Sequence, residues 1–219
     1  MYKFYKRIFD LIFSIILILL LSPLFFFISI LLLFTGENEV FYLQTRIGHK
    51  NKKFKIFKFA TMLKNSENIG TKTLTLRNDF RVTPFGKYLR ITKLNEIPQI
   101  FNVFIGNMSF IGPRPLMEND FLNYSNDIKK AIYNSKPGIS GIGSIVFRDE
   151  ELLVSSHKGS KKLFYINRIL PFKGKLELWY NKNCSLINDF LILILTIYII
   201  IFPKSKIYYK IFKNLPKSI

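Results

Sequence analysis

Residues 11–34 read LIFSIILILLLSPLFFFISILLLF, an apolar run without a single charged residue. Coiled as a helix at about 1.5 Å per residue, the run reaches about 36 Å. This length is enough to cross a hydrocarbon core of about 30 Å, so the sequence predicts a segment embedded in a membrane.

The middle and the flanks of this run indicate how it meets the membrane. Ser22 and Pro23 stand in its middle, and proline removes a backbone donor and clashes with the preceding turn, so a kink or break is expected there. Because basic residues favour the cytoplasmic side, the flanks place both ends of the segment in the cytoplasm and predict a re-entrant helix. An ordinary kinked transmembrane helix is the alternative. The flanking cations are Lys3, Lys6, Arg7, Arg46, Lys50, Lys52, Lys53, Lys55 and Lys58.

The composition narrows the class of partner. A formal net charge of +19 favours polyanions such as nucleic acid, anionic lipid or phosphorylated substrates. Hydrophobic residues make up 49% of the chain, whereas a soluble nucleic-acid binder keeps its surface polar. A membrane and a phosphorylated ligand are therefore the expected partners, and nucleic acid is not.

A second apolar run, FLILILTIYIIIF at residues 190–202, is too short to span a membrane comfortably and is followed by Pro203. We expect it to lie in the membrane interface, together with a tail of alternating lysine and apolar residues. A solvated basic tail is the alternative for these last residues. The chain thus divides into a membrane helix at residues 1–39, a surface domain at 40–189, and an interfacial helix with a basic tail at 190–219.

The surface domain is predicted to be mostly helical with one small β-hairpin. Residues 41–62 alternate apolar and polar positions on either side of a turn at 48–53, which is typical of a hairpin. Helices are expected at 86–93 and 97–105, and Gly106 closes the second of them. Asn95 would then be its N-cap, with the Glu96 carboxylate in the first turn.

Residues 112–115, GPRP, predict a rigid exposed turn that carries Arg114. A planar guanidinium suits bidentate contact with phosphate oxygens. The motif is weak by itself, but it stands some twenty residues after an Arg-x4-Asn-Glu-x-Pro element in a basic chain with a membrane segment.

Taken together, these elements resemble the bacterial sugar transferase family, the monotopic phosphoglycosyl transferases that act on polyprenol phosphate. The matching segments cover most of the chain in the family's order. They are KRIFD with the helix broken at Ser22 and Pro23, RIG, KIFKF-x-TM, FGKYLR, LNEIPQIFNV, GNMSFIGPRP, KPGISG and LELWY with its apolar helix.

The resemblance implies transfer of a sugar 1-phosphate from a UDP-sugar to polyprenol phosphate, with Mg²⁺ as cofactor, at the cytoplasmic face of the bacterial inner membrane. In the family a carboxylate attacks the β-phosphate and UMP leaves. Glu96 matches the metal-linked glutamate and Lys58 a lysine beside the site. Arg90 and Arg114 match phosphate-contacting arginines, roles that suit a reaction driven by positioning and charge neutralisation.

The departures from the family pattern fall on the nucleophile. The usual Asp-Glu pair reads Asn95 and Glu96, GDMS reads GNMS, and Ala60 replaces a basic residue. Around Gly141 the chain also leaves the common pattern, reading GISGIGSIVFRDEELL at residues 138–153. This stretch adds an acidic cluster, Asp149, Glu150 and Glu151, which could supply a carboxylate or a metal ligand, or could be a solvated turn.

These departures leave two routes for an active chain. Either Glu96 or Asp149 is the nucleophile, or the lipid phosphate attacks the donor directly. The covalent route is slightly favoured because the rest of the site is intact. The main alternative function is a non-catalytic family member that serves as an assembly or regulatory subunit, and a membrane-tethered nucleic-acid binder is a third hypothesis.

Overall fold

The computed structural model describes residues 1–35, 37–69 and 79–217, and it is mostly helical with two small sheets. Within these residues the helices and strands, in chain order, are α1 Tyr2–Phe34, β1 Phe41–Ile47, β2 Lys53–Phe59, α2 Pro84–Ile91, α3 Gln99–Phe104, β3 Ser109–Ile111, α4 Glu118–Leu122, α5 Asn126–Ala131, β4 Gly138–Ser140, α6 Ile142–Val146, α7 Glu150–Ser155, α8 Lys161–Phe164, α9 Leu170–Lys182, α10 Leu186–Ile201 and α11 Tyr208–Ile211.

Helix α1 is long and apolar enough, by length and composition, to cross a membrane. It runs without interruption through Pro23, so the break predicted there does not divide it into two helices. The Ser22 hydroxyl donates a hydrogen bond to the carbonyl oxygen of Leu19 at 2.8 Å. A serine and a proline in succession are a common cause of a kink within a continuous helix.

The predicted hairpin is confirmed. Strands β1 and β2 pair antiparallel over residues 41–47 and 53–59, with Phe41 opposite Phe59 and Tyr42 opposite Lys58. Side chains alternate along a strand, so Lys58 lies on the same face as the buried Ile56. This register turns one lysine of a charged strand toward the interior.

The sequence did not predict the second sheet, a parallel pair of β3 and β4. The two strands approach so closely that a side chain on Gly112 would bring its Cβ within 2.3 Å of the Lys136 carbonyl oxygen. A Cβ on Gly138 would lie 2.1 Å from the Gly112 nitrogen. These glycines hold the turn that carries Arg114 tightly against the chain after Lys136.

The helices around residue 95 differ from the prediction. Helix α2 begins at Pro84, two residues early, because the Thr83 hydroxyl caps it by accepting from the Gly86 N–H at 3.1 Å. Asn95 is not an N-cap, because it lies inside a short 3-10 turn, Leu94–Glu96, and α3 begins only at Gln99. Gly106 does end α3, with a positive φ of 90°.

Helices α9 and α10 form the centre of the main core. Leu170 and Leu176 of α9 and Ile192 of α10 are fully buried. The C-terminal tail packs onto the same core, where Tyr208 and Phe212 are buried, so this part of the tail is a packed element and not a solvated extension.

Candidate active site

Helix α3 fixes the distance between the hairpin and the 3-10 turn that follows α2. The buried Asn102 side chain bridges to β2, because its Oδ1 accepts from the Phe57 N–H at 2.9 Å and its Nδ2 donates to the Lys55 carbonyl oxygen at 2.8 Å. A buried amide with both ends paired is a rigid clamp. It brings Glu96 of the turn close to Lys58 of β2.

Glu96 is the centre of a compact charge cluster. Its Oε1 accepts a hydrogen bond from Nη2 of Arg114 at 3.1 Å and lies 3.9 Å from Nζ of Lys58. The Glu96 and Lys58 side chains are 18% and 16% exposed, whereas the Arg114 side chain is 41% exposed. The structure therefore brings together three of the residues predicted from the sequence.

The electrostatics of this cluster follow from burial and from its excess of cations. Burial lowers the pKa of Lys58 to about 7, against the raising effect of Glu96. Burial also opposes ionisation of Glu96, but Arg114 and Lys58 outweigh it and hold the pKa of this carboxyl well below its usual range. Glu96 in turn raises the pKa of Arg114. The cluster is thus a fixed carboxylate with a net positive surround.

A cavity of about 1380 Å³ opens above the cluster. Its basic wall comes from α2 and the turn after it, its polar wall from α6, α7 and α9, and its apolar end from α1 and α10. The residues that carry these three properties include Lys87, Arg90, Lys93, Glu96, Arg114, Glu150, Lys173, Glu177, Leu17, Phe110, Ile199 and Ile200. The cavity is large enough for a drug-sized ligand.

The other predicted residues line the same cavity at a different place. Arg90 lies 3.4 Å from Glu151, and Glu150 accepts a hydrogen bond from Nζ of Lys173 at 2.5 Å. Asp149 is exposed on the cavity rim at the start of α7. The acidic cluster is therefore paired with cations through two of its three members.

Asn95 stands apart from the residues predicted with it. It is buried, it is not among the residues that line the cavity, and its Oδ1 has no hydrogen-bond partner within the described part of the chain. A neutral amide in this position offers no nucleophile to a ligand in the cavity.

Three residues with a place in this site were not singled out from the sequence. Arg46 of β1 reaches the turn of Arg114, since its Nη1 lies 3.4 Å from the Pro115 carbonyl oxygen. Lys173 and Glu177 are buried on α9. Arg46 belongs to the RIG element and Glu177 to LELWY. The family resemblance pointed to both segments but gave neither residue a role in the site.

The side chains of the site limit the ways in which it could bind a metal ion. Among the residues that the structure describes, no group of three acidic, histidine or cysteine side chains could hold one. Mg²⁺ is commonly bound by one or two carboxylates together with substrate phosphates. The ion pair with Lys58 and the hydrogen bond from Arg114 both fall on Oε1 of Glu96, so Oε2 fits this kind of single-carboxylate site.

The long apolar helix α1 is consistent with membrane association, and the cation-lined cavity suits a phosphorylated ligand. A profile of the family described as bacterial sugar transferase matches residues 1–203. The chain therefore belongs to the bacterial sugar transferase family, and the membership predicted from its motifs is confirmed.

Two relatives align with most of the length of this chain. The chain is 33% identical over 207 residues to the exopolysaccharide production protein ExoY of Rhizobium meliloti, which covers 88% of this chain and 83% of that protein. It is 30% identical over 208 residues to an undecaprenyl-phosphate galactose phosphotransferase of Salmonella typhimurium, covering 89% of this chain and 40% of that protein.

A third relative is the UDP-glucose:undecaprenyl-phosphate glucose-1-phosphate transferase of Klebsiella pneumoniae. It is 37% identical over 145 residues, which cover 64% of this chain and 30% of that protein. The chain thus spans about two fifths of the Salmonella relative and less than a third of the Klebsiella relative.

Proposed function

We propose that this protein transfers a sugar 1-phosphate from a UDP-sugar to polyprenol phosphate at the cytoplasmic face of the bacterial inner membrane. The observation that carries the proposal is the cavity that joins the Glu96 cluster to the apolar surfaces of α1 and α10. One cavity with a cationic wall and an apolar end suits a reaction between a nucleotide diphosphate and a lipid phosphate. The names of the Salmonella and Klebsiella relatives describe transfers of this kind.

The cations of the site would bind and orient the diphosphate. Arg114 is half exposed toward the cavity and is held by Glu96, so its guanidinium keeps a fixed direction while N–H groups remain for phosphate. Lys58, which pairs with the same Glu96 oxygen but does not line the cavity itself, adds a second positive charge, and Arg90 in the cavity lining adds a third. Preorganised cations of this type stabilise the charge that develops on a transferring phosphoryl group.

Mg²⁺ is part of the proposal, with Glu96 as its protein ligand. When bound, the ion would neutralise charge on the donor's phosphate oxygens. The chain's own contribution is to keep the Glu96 carboxylate ionised at every physiological pH, because its pKa lies well below the usual range.

The nucleophile can be one of two kinds. In the covalent route an oxygen of Glu96 or Asp149 bonds to the β-phosphorus, the bond to the bridging oxygen breaks and UMP leaves, after which lipid phosphate displaces the carboxylate. In the direct route an oxygen of the lipid phosphate attacks the β-phosphorus and UMP leaves in the same step. The low pKa of Glu96 and its two cationic neighbours make it a weak nucleophile, which favours the direct route over attack by Glu96.

The contacts of α1 support a helix that returns to the side it came from. Near its start Lys6 pairs with Asp189 of α10, and near its end Ile28 and Leu32 pack with Phe59 and Leu89. A helix that crosses about 30 Å of hydrocarbon would carry one end away from a domain on the other side. We therefore propose that both ends of α1 lie in the cytoplasm.

Single-cysteine labelling tests this topology. Cys184→Ser removes the one native thiol, and Lys3→Cys in that background places a reporter at the N-terminus. A membrane-impermeant maleimide should label the reporter in inverted vesicles and not in intact cells. Labelling in intact cells would show that α1 spans the membrane.

A second function, a non-catalytic subunit, is motivated by the buried Asn95 amide where the family carries an aspartate. Intact-protein mass spectrometry with UDP-sugar alone, together with an assay of UMP release with and without polyprenol phosphate, separates the possibilities on the wild type and on Asn95→Asp. An adduct on the wild type supports the covalent route. UMP release only with polyprenol phosphate present supports the direct route, and neither product with any donor supports the non-catalytic function.

A further inference from the structure

A second polar cluster lies on the wall of the same cavity, where α9 faces α7. Lys173 and Glu177 are one helical turn apart on α9, so they share a face of the helix. They are only 7% and 3% exposed. Lysine and glutamate are almost never buried to this extent unless their charges have partners or a function.

Lys173 is held in a fixed position beside the cavity. Its Nζ donates to Oε2 of Glu150 at 2.5 Å and lies 5.5 Å and 5.6 Å from the ring centroids of Phe147 and Tyr165. Both rings contribute a cation–π attraction that restricts the ammonium group further. An ammonium has three N–H donors, and Glu150 accounts for one of them.

Glu177 is only half satisfied. Its Oε1 accepts from the backbone N–H of Arg114 at 3.4 Å, while its Oε2 has no hydrogen-bond partner among the described residues. Gly143 leaves room for this carboxyl, since a Cβ at that position would lie 2.4 Å from Oε1. An unpaired buried oxygen is costly, so its presence in a cavity wall indicates a ligand that pairs with it.

The position of this cluster relative to Arg114 points to the ligand. The guanidinium of Arg114 bonds Glu96 and its backbone N–H bonds Glu177, so the arginine separates the phosphate-binding cluster from the α9 cluster. A group attached to a phosphate at Arg114 can therefore reach Lys173 and Glu177. The basic wall formed by α2 suits the second phosphate of the donor, and the apolar end at α1 and α10 suits the lipid.

From this geometry we propose that Lys173, Glu177 and Glu150 recognise the hydroxyl groups of the sugar carried by the donor, an inference that rests on the proposed function. Each hydroxyl both donates and accepts a hydrogen bond. The ammonium of Lys173 donates to such groups, the Glu150 carboxylate accepts from them, and the Glu177 carboxyl can accept from them or, when protonated, donate to them. The Lys173–Glu150 pair and the neighbouring Glu177 carboxyl can therefore distinguish sugars by the positions of their hydroxyl groups.

The test compares binding of UDP with binding of UDP-sugars to the full chain in phosphatidylethanolamine and phosphatidylglycerol nanodiscs. Calorimetry on the wild type first ranks UDP-glucose, UDP-galactose and UDP-N-acetylgalactosamine. Lys173→Met and Glu177→Leu should each weaken binding of the preferred UDP-sugar about tenfold, because a hydrogen bond to a charged or buried group is lost. Binding of UDP, which lacks the sugar, should change less than about twofold.

Matched controls are available on the surface. Lys175 is exposed on the same helix as Lys173, and Glu118 is half exposed in a surface ion pair with Lys53. Lys175→Met and Glu118→Gln should leave both affinities unchanged. If Glu177→Leu does not fold, Lys173→Met carries the test alone, since it keeps the Glu177 oxygen that accepts from the Arg114 N–H.

The outcomes separate this inference from the proposed function. Equal losses of UDP and UDP-sugar affinity in the Lys173 and Glu177 variants would overturn the inference, because the residues would then only support Arg114. Unchanged UDP-sugar affinity would overturn it as well. Absence of transfer by the wild type would instead refute the proposed function, while a selective loss of UDP-sugar binding would still support the sugar site.

Discussion

Glu96 and Glu177 are two carboxyl groups at the two ends of Arg114, and their titration is opposite. Glu96 bonds the guanidinium and also has Lys58 nearby, so its pKa lies well below the usual range in spite of burial. Glu177 bonds only the backbone N–H of the arginine, and burial raises its pKa to about 8. Neighbouring cations, and not the depth of burial, therefore decide which carboxyl is ionised at neutral pH.

Removal of divalent cations should reduce turnover the most, and it should act at Glu96, the proposed Mg²⁺ ligand, and not at Glu177. Chelation with EDTA is expected to abolish turnover, because the donor's phosphate charge would lose its main neutralising ion. Excess Mg²⁺ should restore it. Full turnover in EDTA, measured as radiolabelled sugar in the lipid fraction, would show that the reaction does not require a divalent metal.

Substitution of Arg114, which lies between the two carboxyls, should have the next largest effect on turnover. Arg114→Ala should lower kcat/KM about ten- to a hundredfold, because a charge-assisted contact with phosphate is worth about 1.5 to 3 kcal/mol. Arg168, which is exposed, provides the matched control, and Arg168→Ala should leave the rate unchanged. Equal rates for the two variants would refute the role of Arg114.

The titration of Lys58 should make donor binding at the Glu96 cluster weaker at alkaline pH. Its pKa of about 7 means that the cation is lost as pH rises through neutrality, so KM for the donor should rise by up to about tenfold per pH unit above that value. Lys58→Arg keeps the charge and should flatten this limb of the profile. An identical rise in both proteins would assign the titration to another group.

Glu177 should have the opposite dependence, and it should act on stability. Its pKa is raised above the unfolded value of about 4.5, so the folded state binds the extra proton and stability from this group falls as pH rises from about 4.5 to about 8. The melting temperature of the wild type, taken relative to Glu177→Gln, should fall by a few degrees per pH unit in that interval. A constant difference would show that Glu177 is ionised in the folded protein.

The sequence predicted the elements that depend on local pattern. The apolar run of α1, the hairpin of β1 and β2, and the closure of α3 at Gly106 were confirmed because periodicity and turn chemistry are local properties. The grouping of Glu96, Arg114 and Lys58 followed from the family resemblance, since no spacing in the chain implies that three distant segments meet.

The rest depended on contacts between distant segments. The parallel pairing of β3 and β4 requires glycines that meet across 26 residues, which no local pattern reveals. Lys173 and Glu177 look like ordinary helix-surface charges in the sequence, and only the packing of α9 into the core shows that both are buried. Asn95 was misplaced as a cap because a 3-10 turn separates it from α3.

The most direct measurement of the central claim is the transfer of label from a panel of β-³²P-labelled UDP-sugars to undecaprenyl phosphate in membranes. The wild type should form labelled lipid with at least one sugar, and Glu96→Gln, which removes the ionised carboxylate and keeps its shape, should form none above background. Glu118→Gln serves as the surface control and should match the wild type. Equal labelling by Glu96→Gln and the wild type, or none by the wild type with any sugar, would contradict the account.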